Sequence, residues 1–424
     1  MHKNLFLVLI CLIAMQSGLT AQVISPAGKT PTAGISQERV TKLDAMLEEA
    51  IQKEQVPGLV AMVVKNGQIV YHSAKGFADV ESGKKMEKNS IFRIASQTKA
   101  ITSTAIMILW EEGKFRLDDP ISKYIPEFKN PQVLSTFRYA DTTYSTKPSS
   151  KEITIRHLLT HTSGLGYGVI DGDERMKMIY HKAGVVDLFT TEKVTIEESV
   201  KRLAKLPLHH EPGTKYTYSE GLDVLGYLVE VISGKPFDIF LKERIFDPIG
   251  MNDTRFYLND VQAPRLVTVH TRKDGKWASY PVTFYDPAYP KTGAKTFFSG
   301  GAGLSSTTED YAKFLQMYLN GGIYNGKRIL SSHTIHTMMQ NQVGDLWNAD
   351  RYHGIGFGVV TDKGVAMGGM GSKGTFDWGG YFNTQYFADP ETGIIGLIFK
   401  QTSGAGNGDE TGWKFRQMVF TLVE

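Results

Sequence analysis

The chain has 424 residues, 41% of them hydrophobic and 21% charged, with a formal charge of +3 at pH 7. That balance fits an ordinary globular protein with one large core or two lobes sharing an interface, and disorder is not the default for it. Basic residues are scattered without runs, which argues against a nucleic-acid partner or a membrane-surface footprint.

A positive start, Met1-His2-Lys3-Asn4, precedes an apolar run from Leu5 to Met15 that is too short to span a bilayer. It predicts a signal peptide over residues 1–21, cleaved after the small Ala21, and therefore a secreted or periplasmic protein without a stable membrane anchor after cleavage. Cys11, the single cysteine, lies inside that run, so the mature chain would hold neither a disulfide nor a thiolate metal site.

A linker rich in Pro, Gly, Ser and Thr follows over residues 22–35. Ser36 then caps a helix whose apolar residues Val40, Leu43, Leu47, Ala50 and Ile51 share one stripe. Leu59–Val64 and Gln68–His72 flank Lys65-Asn66-Gly67, and Asn-Gly between two β-rich runs predicts a hairpin. From about residue 97 to 290 the pattern is mostly helical, as in Ile101–Trp110 and Leu222–Ile232, each closed by a glycine. Asn383–Phe387 and Ile394–Phe399 form a second hairpin around Asp389-Pro390-Glu391-Thr392-Gly393, and Trp413–Phe420 reads as a final helix. Strands at both chain ends with helices between them predict an α+β fold, an antiparallel sheet flanked by N- and C-terminal helices. Residues 36–95 and 295–424 would build this lobe, and residues 96–294 an inserted, mainly helical one.

Ser96-Gln97-Thr98-Lys99 stands directly before a nearly all-apolar helix, so Ser96 and Lys99 share a face at its start. A hydroxyl becomes a nucleophile only when something takes its proton, and a lysine in a desolvated cleft can have its pKa lowered enough to do so. The positive helix end favours a developing oxyanion. Alone, the spacing is equally that of a capping serine beside a surface lysine.

Other segments add to it. Pro212-Gly213-Thr214-Lys215-Tyr216-Thr217-Tyr218-Ser219-Glu220 resembles the Tyr-x-Asn region of class C β-lactamases. Leu117-Asp118-Asp119-Pro120, Ile153 to Leu165 and Gly300 to Thr307 are similar to further segments of that family, in the same order. The resemblance spans roughly residues 36–424 and takes in D-alanyl-D-alanine carboxypeptidases and β-lactamase-like carboxylesterases. It implies Ser96 as acylated nucleophile, with Lys99 and Tyr218 as the proton-handling pair. It also implies a third motif on a strand edge, usually Lys-Thr-Gly. Lys291-Thr292-Gly293 matches literally but precedes the Gly300–Thr307 segment, whereas Trp378-Gly379-Gly380 has the expected place and resembles an esterase version. With that choice the oxyanion hole is made by the amides of Ser96 and Tyr381, and Lys291 is an ordinary loop residue.

Glu220 departs from the family's asparagine, which contacts the amide side chain of peptide and β-lactam substrates. Its carboxylate could pair with Lys99, or face solvent at a helix start. The substrate is then expected to be a carboxylic ester contacted by Glu220, Trp378, Gly379 and Gly380, with an amide or β-lactam as the alternative and no metal or organic cofactor. A non-catalytic receptor for wall fragments is the rival from another class. Tyr167, Trp347, Tyr352, Phe376 and Trp378 are candidates for lining an acyl pocket. Gly369-Met370-Gly371-Ser372-Lys373-Gly374 fits G-x-G-x-x-G, but no helix pattern follows it. His157 and His161 lack the intervening glutamate of a zinc helix and read as packing and hydrogen-bonding residues.

Overall fold

The computed structural model describes residues 22–26, 34–186, 188–368, 371–403 and 408–423. The expected signal peptide, residues 27–33 of the linker, and Gly369 and Met370 lie outside the described residues. An eight-stranded antiparallel sheet organises the molecule. Its strands are β1 (Gly58–Lys65), β2 (Gln68–Asp79), β3 (Lys84–Lys85), β4 (Arg351–His353), β5 (Gly358–Val360), β6 (Phe376–Gly379), β7 (Thr384–Asp389) and β8 (Ile394–Phe399), in the order β4-β5-β6-β7-β8-β1-β2-β3.

The first hairpin closes with Lys65 opposite Gln68, and Asn66 and Gly67 have φ of 49° and 76°. Two successive positive φ values define the tight turn whose twist matches the strands. The unbroken apolar run of β1 reflects cover on both faces. Val60, Met62 and Val64 enter the main core, while Leu59, Ala61 and Val63 meet a second cluster. That cluster is supplied by α1 (Gln37–Gln52) through Leu43 and Leu47, and by the C-terminal helix Thr411–Phe420 through Phe415 and Val419. Ser36 caps α1 by accepting from the Arg39 amide at 3.4 Å. Residues 22–26 also engage the sheet, for Ser25 donates to Gly67 and its carbonyl accepts from Ile69.

On the other side of the sheet lies α2 (Thr98–Glu111), buried from Thr98 to Leu109. Against it packs α3 (Gly221–Ser233), ended by Gly234 at φ 69°. The middle of the chain is less uniformly helical than its pattern suggests. Gln132–Arg138 pairs with Thr143–Pro148, and His270–Lys273 with Lys276–Ser279. The second hairpin turns on Asp274-Gly275, with φ of 51° and 78°. Lys291 is not in a loop but in a short helix, Tyr289–Thr292, entered through Pro290.

Candidate active site

Ser96 lies in a single 3₁₀ turn, Ala95–Gln97, that runs into α2. Ala95 is buried with φ 45°, a left-handed conformation that a residue with a Cβ rarely adopts. Such a conformation persists when its surroundings enforce it. Here the Ile94 amide donates to Leu304 at 3.0 Å, and the Arg93 amide donates to the Gln401 side chain at 2.8 Å. Within this bend Ser96 is half-buried, whereas residues 91–95 before it and 97–100 after it are buried.

Lys99 is buried, and its Nζ reaches three oxygens: Ser96 Oγ at 3.3 Å, the Tyr167 hydroxyl at 2.8 Å and the Gly301 carbonyl at 2.8 Å. Burial, first among its causes, pushes the Tyr167 hydroxyl well above the ordinary tyrosine range, so it meets the lysine as a neutral phenol. Gly301 is itself held, its amide donating to Asp223 Oδ1 at 2.7 Å while Ser299 Oγ donates to the same oxygen at 2.8 Å. Burial raises the Asp223 carboxyl, against these hydrogen bonds and the Lys99 charge. Gly300 must be glycine, because a Cβ there would lie 2.3 Å from the Leu222 carbonyl of α3.

Tyr218 lies nearby, its ring 4.6 Å from Lys99 Nζ and 5.4 Å from the Tyr167 ring. The phenol that hydrogen-bonds Lys99, however, is that of Tyr167. Among the described residues the Tyr218 hydroxyl has no hydrogen-bond partner and Lys99 has only the three above. Sequence reasoning ranked Tyr167 only as a pocket aromatic. Its signal was its position, two residues beyond Leu165, where a segment that resembles the family ends.

Glu220 neither faces solvent nor pairs with Lys99. It is 2% exposed, and its Oε1 accepts from the Gly168 amide at 3.1 Å. Three successive amides of the loop carrying Tyr167 are thereby pinned: Gly166 to the Tyr180 hydroxyl, Tyr167 to Asp171 and Gly168 to Glu220. The buried helix start leaves the carboxylate facing that loop instead of water.

Trp378 and Gly379 end β6, and Gly380 begins the turn to β7. A Cβ on Gly380 would sit 2.5 Å from the Ile94 carbonyl, so its absence lets this turn press against the loop that carries Ser96. Tyr381, the next residue, is 39% exposed. The Ser96 amide has no hydrogen-bond acceptor among the described residues, as an oxyanion donor requires. Trp378 lies 6.2 Å from the Tyr218 ring and 5.8 Å from Trp347. His161 lines the same wall, 4.5 Å from Tyr218 between ring centroids, with Nδ1 accepting from the Ser219 amide at 3.2 Å. Of the other aromatics, Phe376 is core and Tyr352 donates to the Met339 carbonyl away from the site. Lys291 is not among the partners of Ser96, Lys99 or Tyr218.

Beyond the aromatic group of Tyr381, Tyr285 and Phe189 opens a cavity of about 970 Å³. Val169, Met178, Val185, Val186, Phe189 and Phe284 form its apolar part.

An antiparallel sheet clasped by terminal helices, with a serine and a lysine at the start of the buried helix beside it, defines the serine hydrolases of penicillin-recognising architecture. The chain belongs to the Beta-lactamase family, whose model matches residues 43–417. It is similar to Esterase EstB of Burkholderia gladioli, 31% identical over 386 residues, which are 86% of this chain and 91% of the relative. Lovastatin esterase of Penicillium rubens is 28% identical, over 84% of this chain and 91% of the relative. Among solved structures, EstCE1, a hydrolase with promiscuous acyltransferase activity, superimposes with a TM-score of 0.76 at 27% identity, covering 91% of this chain and 99% of its own.

Proposed function

We propose that the protein hydrolyses carboxylic esters through an acyl-enzyme on Ser96. The observation that carries this is the 3.3 Å approach of Lys99 Nζ to Ser96 Oγ, under the ring of Tyr218. The Ser96 hydroxyl passes its proton to the one base, amine or phenolate, that the Lys99–Tyr218 pair supplies, and its oxygen bonds to the ester carbonyl carbon. The tetrahedral oxyanion is held by the amides of Ser96 and Tyr381. Its collapse breaks the carbon–oxygen bond to the alcohol, which leaves with the proton from the pair. Water then gives a proton to the same pair and attacks the acyl carbon; the bond from that carbon to Ser96 Oγ breaks, the acid leaves, and the pair returns the proton to Oγ.

The ester preference is supported by three features. Trp378 takes the place of a lysine that would grip a substrate carboxylate. Glu220, engaged with Gly168, replaces an asparagine that would hold a peptide-like amide. In the adjoining cavity the carboxylates Asp141, Glu174, Glu192 and Asp286 outnumber Lys177 and Lys182, a setting adverse to an anionic substrate. The named relatives include two esterases. The test compares p-nitrophenyl butyrate with nitrocefin and adds mass spectrometry after a fluorophosphonate probe. Ester turnover and a probe adduct on Ser96 are expected, both lost in Ser96→Ala. Efficient cephalosporin turnover without ester turnover would overturn the ester preference, and a wild-type chain that takes no label would favour a receptor.

A further inference from the structure

Lys400 is a fully buried lysine that the acyl-transfer chemistry does not use. It follows β8 directly, and its Nζ donates to Asp409 Oδ2 at 2.7 Å and to Thr411 Oγ1 at 2.9 Å. The carboxylate is enclosed in turn, Oδ1 accepting from the Thr411 amide at 2.9 Å and from the Thr411 hydroxyl at 2.5 Å. A buried ion pair is a poor source of net stability, since desolvating both charges offsets their attraction. Its use is better sought in what it orients.

The remaining ligand of Asp409 Oδ2 is the side-chain amide of Asn383, at 2.8 Å. The same Nδ2 donates to Thr402 Oγ1 at 2.9 Å. Asn383 closes the connection from β6 to β7. The Gly380 amide donates to Thr384 at 2.7 Å and the Asn383 amide to Gly380 at 2.9 Å, leaving Tyr381 and Phe382 at the tip. Asn383 itself has φ 71°, the left-handed residue that a three-residue hairpin loop demands. Glycine or asparagine serves there on backbone grounds. Only asparagine also supplies an amide that ties the loop to a buried charge.

We propose that Lys400, Asp409 and Asn383 are positioning residues that fix the Gly380–Asn383 turn so that the Tyr381 amide is aimed at the oxyanion formed on Ser96. The inference rests on the acyl-enzyme reading above. Gly380 already places the turn against Ile94, two residues before Ser96, and the Asn383 tie holds its other end. None of the three touches the substrate.

Asn383→Gly separates loop conformation from tie, because glycine keeps the positive φ and removes the amide. On p-nitrophenyl butyrate its kcat should fall about 10- to 100-fold, the scale of a displaced oxyanion donor. KM should stay within about twofold, and the rate of fluorophosphonate labelling should fall in parallel, since the probe's transition state uses the same donors. The double variant Lys400→Met/Asp409→Leu removes both buried charges together and should show the same loss of kcat in folded protein. Unchanged kcat and labelling in folded Asn383→Gly, or a lower melting temperature with the folded fraction fully active, would overturn the proposal. Wild-type turnover and its loss in Ser96→Ala, measured alongside, report separately on the acyl-enzyme reading.

Discussion

Lys99 donates to the hydroxyl of Tyr167 across 2.8 Å, joining the start of a buried helix to a loop 68 residues away in sequence. The contact places the amine beside the Ser96 hydroxyl through a phenol that burial keeps protonated. That loop is fixed in turn by Tyr180, Asp171 and Glu220, so the position of Nζ depends on groups well outside the Ser-x-x-Lys spacing.

Tyr167→Phe removes that hydroxyl and leaves the ring in place. One hydrogen bond to an amine of this kind is worth about 1.5–3 kcal/mol, which corresponds to a fall in kcat of roughly 10- to 100-fold at little cost in KM. Steady-state kinetics on p-nitrophenyl butyrate check it. A wild-type kcat would mean that Gly301 alone suffices to hold Nζ.

Lys99→Ala and Tyr218→Phe act on proton transfer itself, and each should lower kcat by about 10²- to 10⁴-fold while the melting temperature of Tyr218→Phe changes little. Either variant turning over at the wild-type rate removes that residue from the mechanism.

The terminal hairpins, the flanking helices and the sheet were legible because alternation, turn chemistry and caps are local signals, and here they agree with the packing. The hairpin at Asp274-Gly275 carried an equally local signal, obscured by the helical character of its surroundings. Glu220 was different in kind. A carboxylate at a helix start is favourable in water, and only the three-dimensional course of residues 166–168 shows that this start is buried. Tyr167 likewise could not be ranked above the other aromatics from spacing alone, since its role arises from a contact with a helix distant in the chain. Ser96, Lys99 and Tyr218 stood out because a resemblance spanning the chain singled out their segments.

Glu220→Ala should destabilise the protein by about 1–3 kcal/mol, the cost of leaving a buried amide such as that of Gly168 without its acceptor. Thermal melts measure the loss. Because the same loop carries Tyr167, kcat should fall as well, and restoring a long acceptor with Glu220→Gln should recover most of both. A stability equal to wild type in Glu220→Ala would show that the loop is held without it.

Gly380→Ala forces a Cβ against two atoms, 2.5 Å from the Ile94 carbonyl and 2.3 Å from Thr384 Oγ1. Backbone must move to admit it, at about 1–3 kcal/mol of stability. The turn carrying Tyr381 then retreats from Ser96, so ester turnover should drop by at least about tenfold even where the protein remains folded. Circular dichroism with kinetics on the same sample distinguishes the two effects. Full activity in folded Gly380→Ala would show that close approach of this turn is not needed.

The buried histidines set the response to acid. Burial pulls His353 down to about 4, against a hydrogen bond to the Gly354 carbonyl. Burial also takes neighbouring His161 well below the ordinary histidine range, helped by the charges of His353 and Lys99. In the unfolded chain each imidazole titrates near about 6.5, so below that pH the unfolded state binds more protons than the native state and stability falls. The contribution is fully present above about pH 6.5 and, for His353, is lost progressively down to about pH 4, a difference of roughly 3 kcal/mol. Melting temperature should therefore be nearly flat above about pH 7 and decline steeply towards about pH 4.5. His353→Phe, which keeps an aromatic ring between His161 and Trp378, should make that decline shallower. Equal slopes in variant and wild type would assign acid sensitivity to other groups.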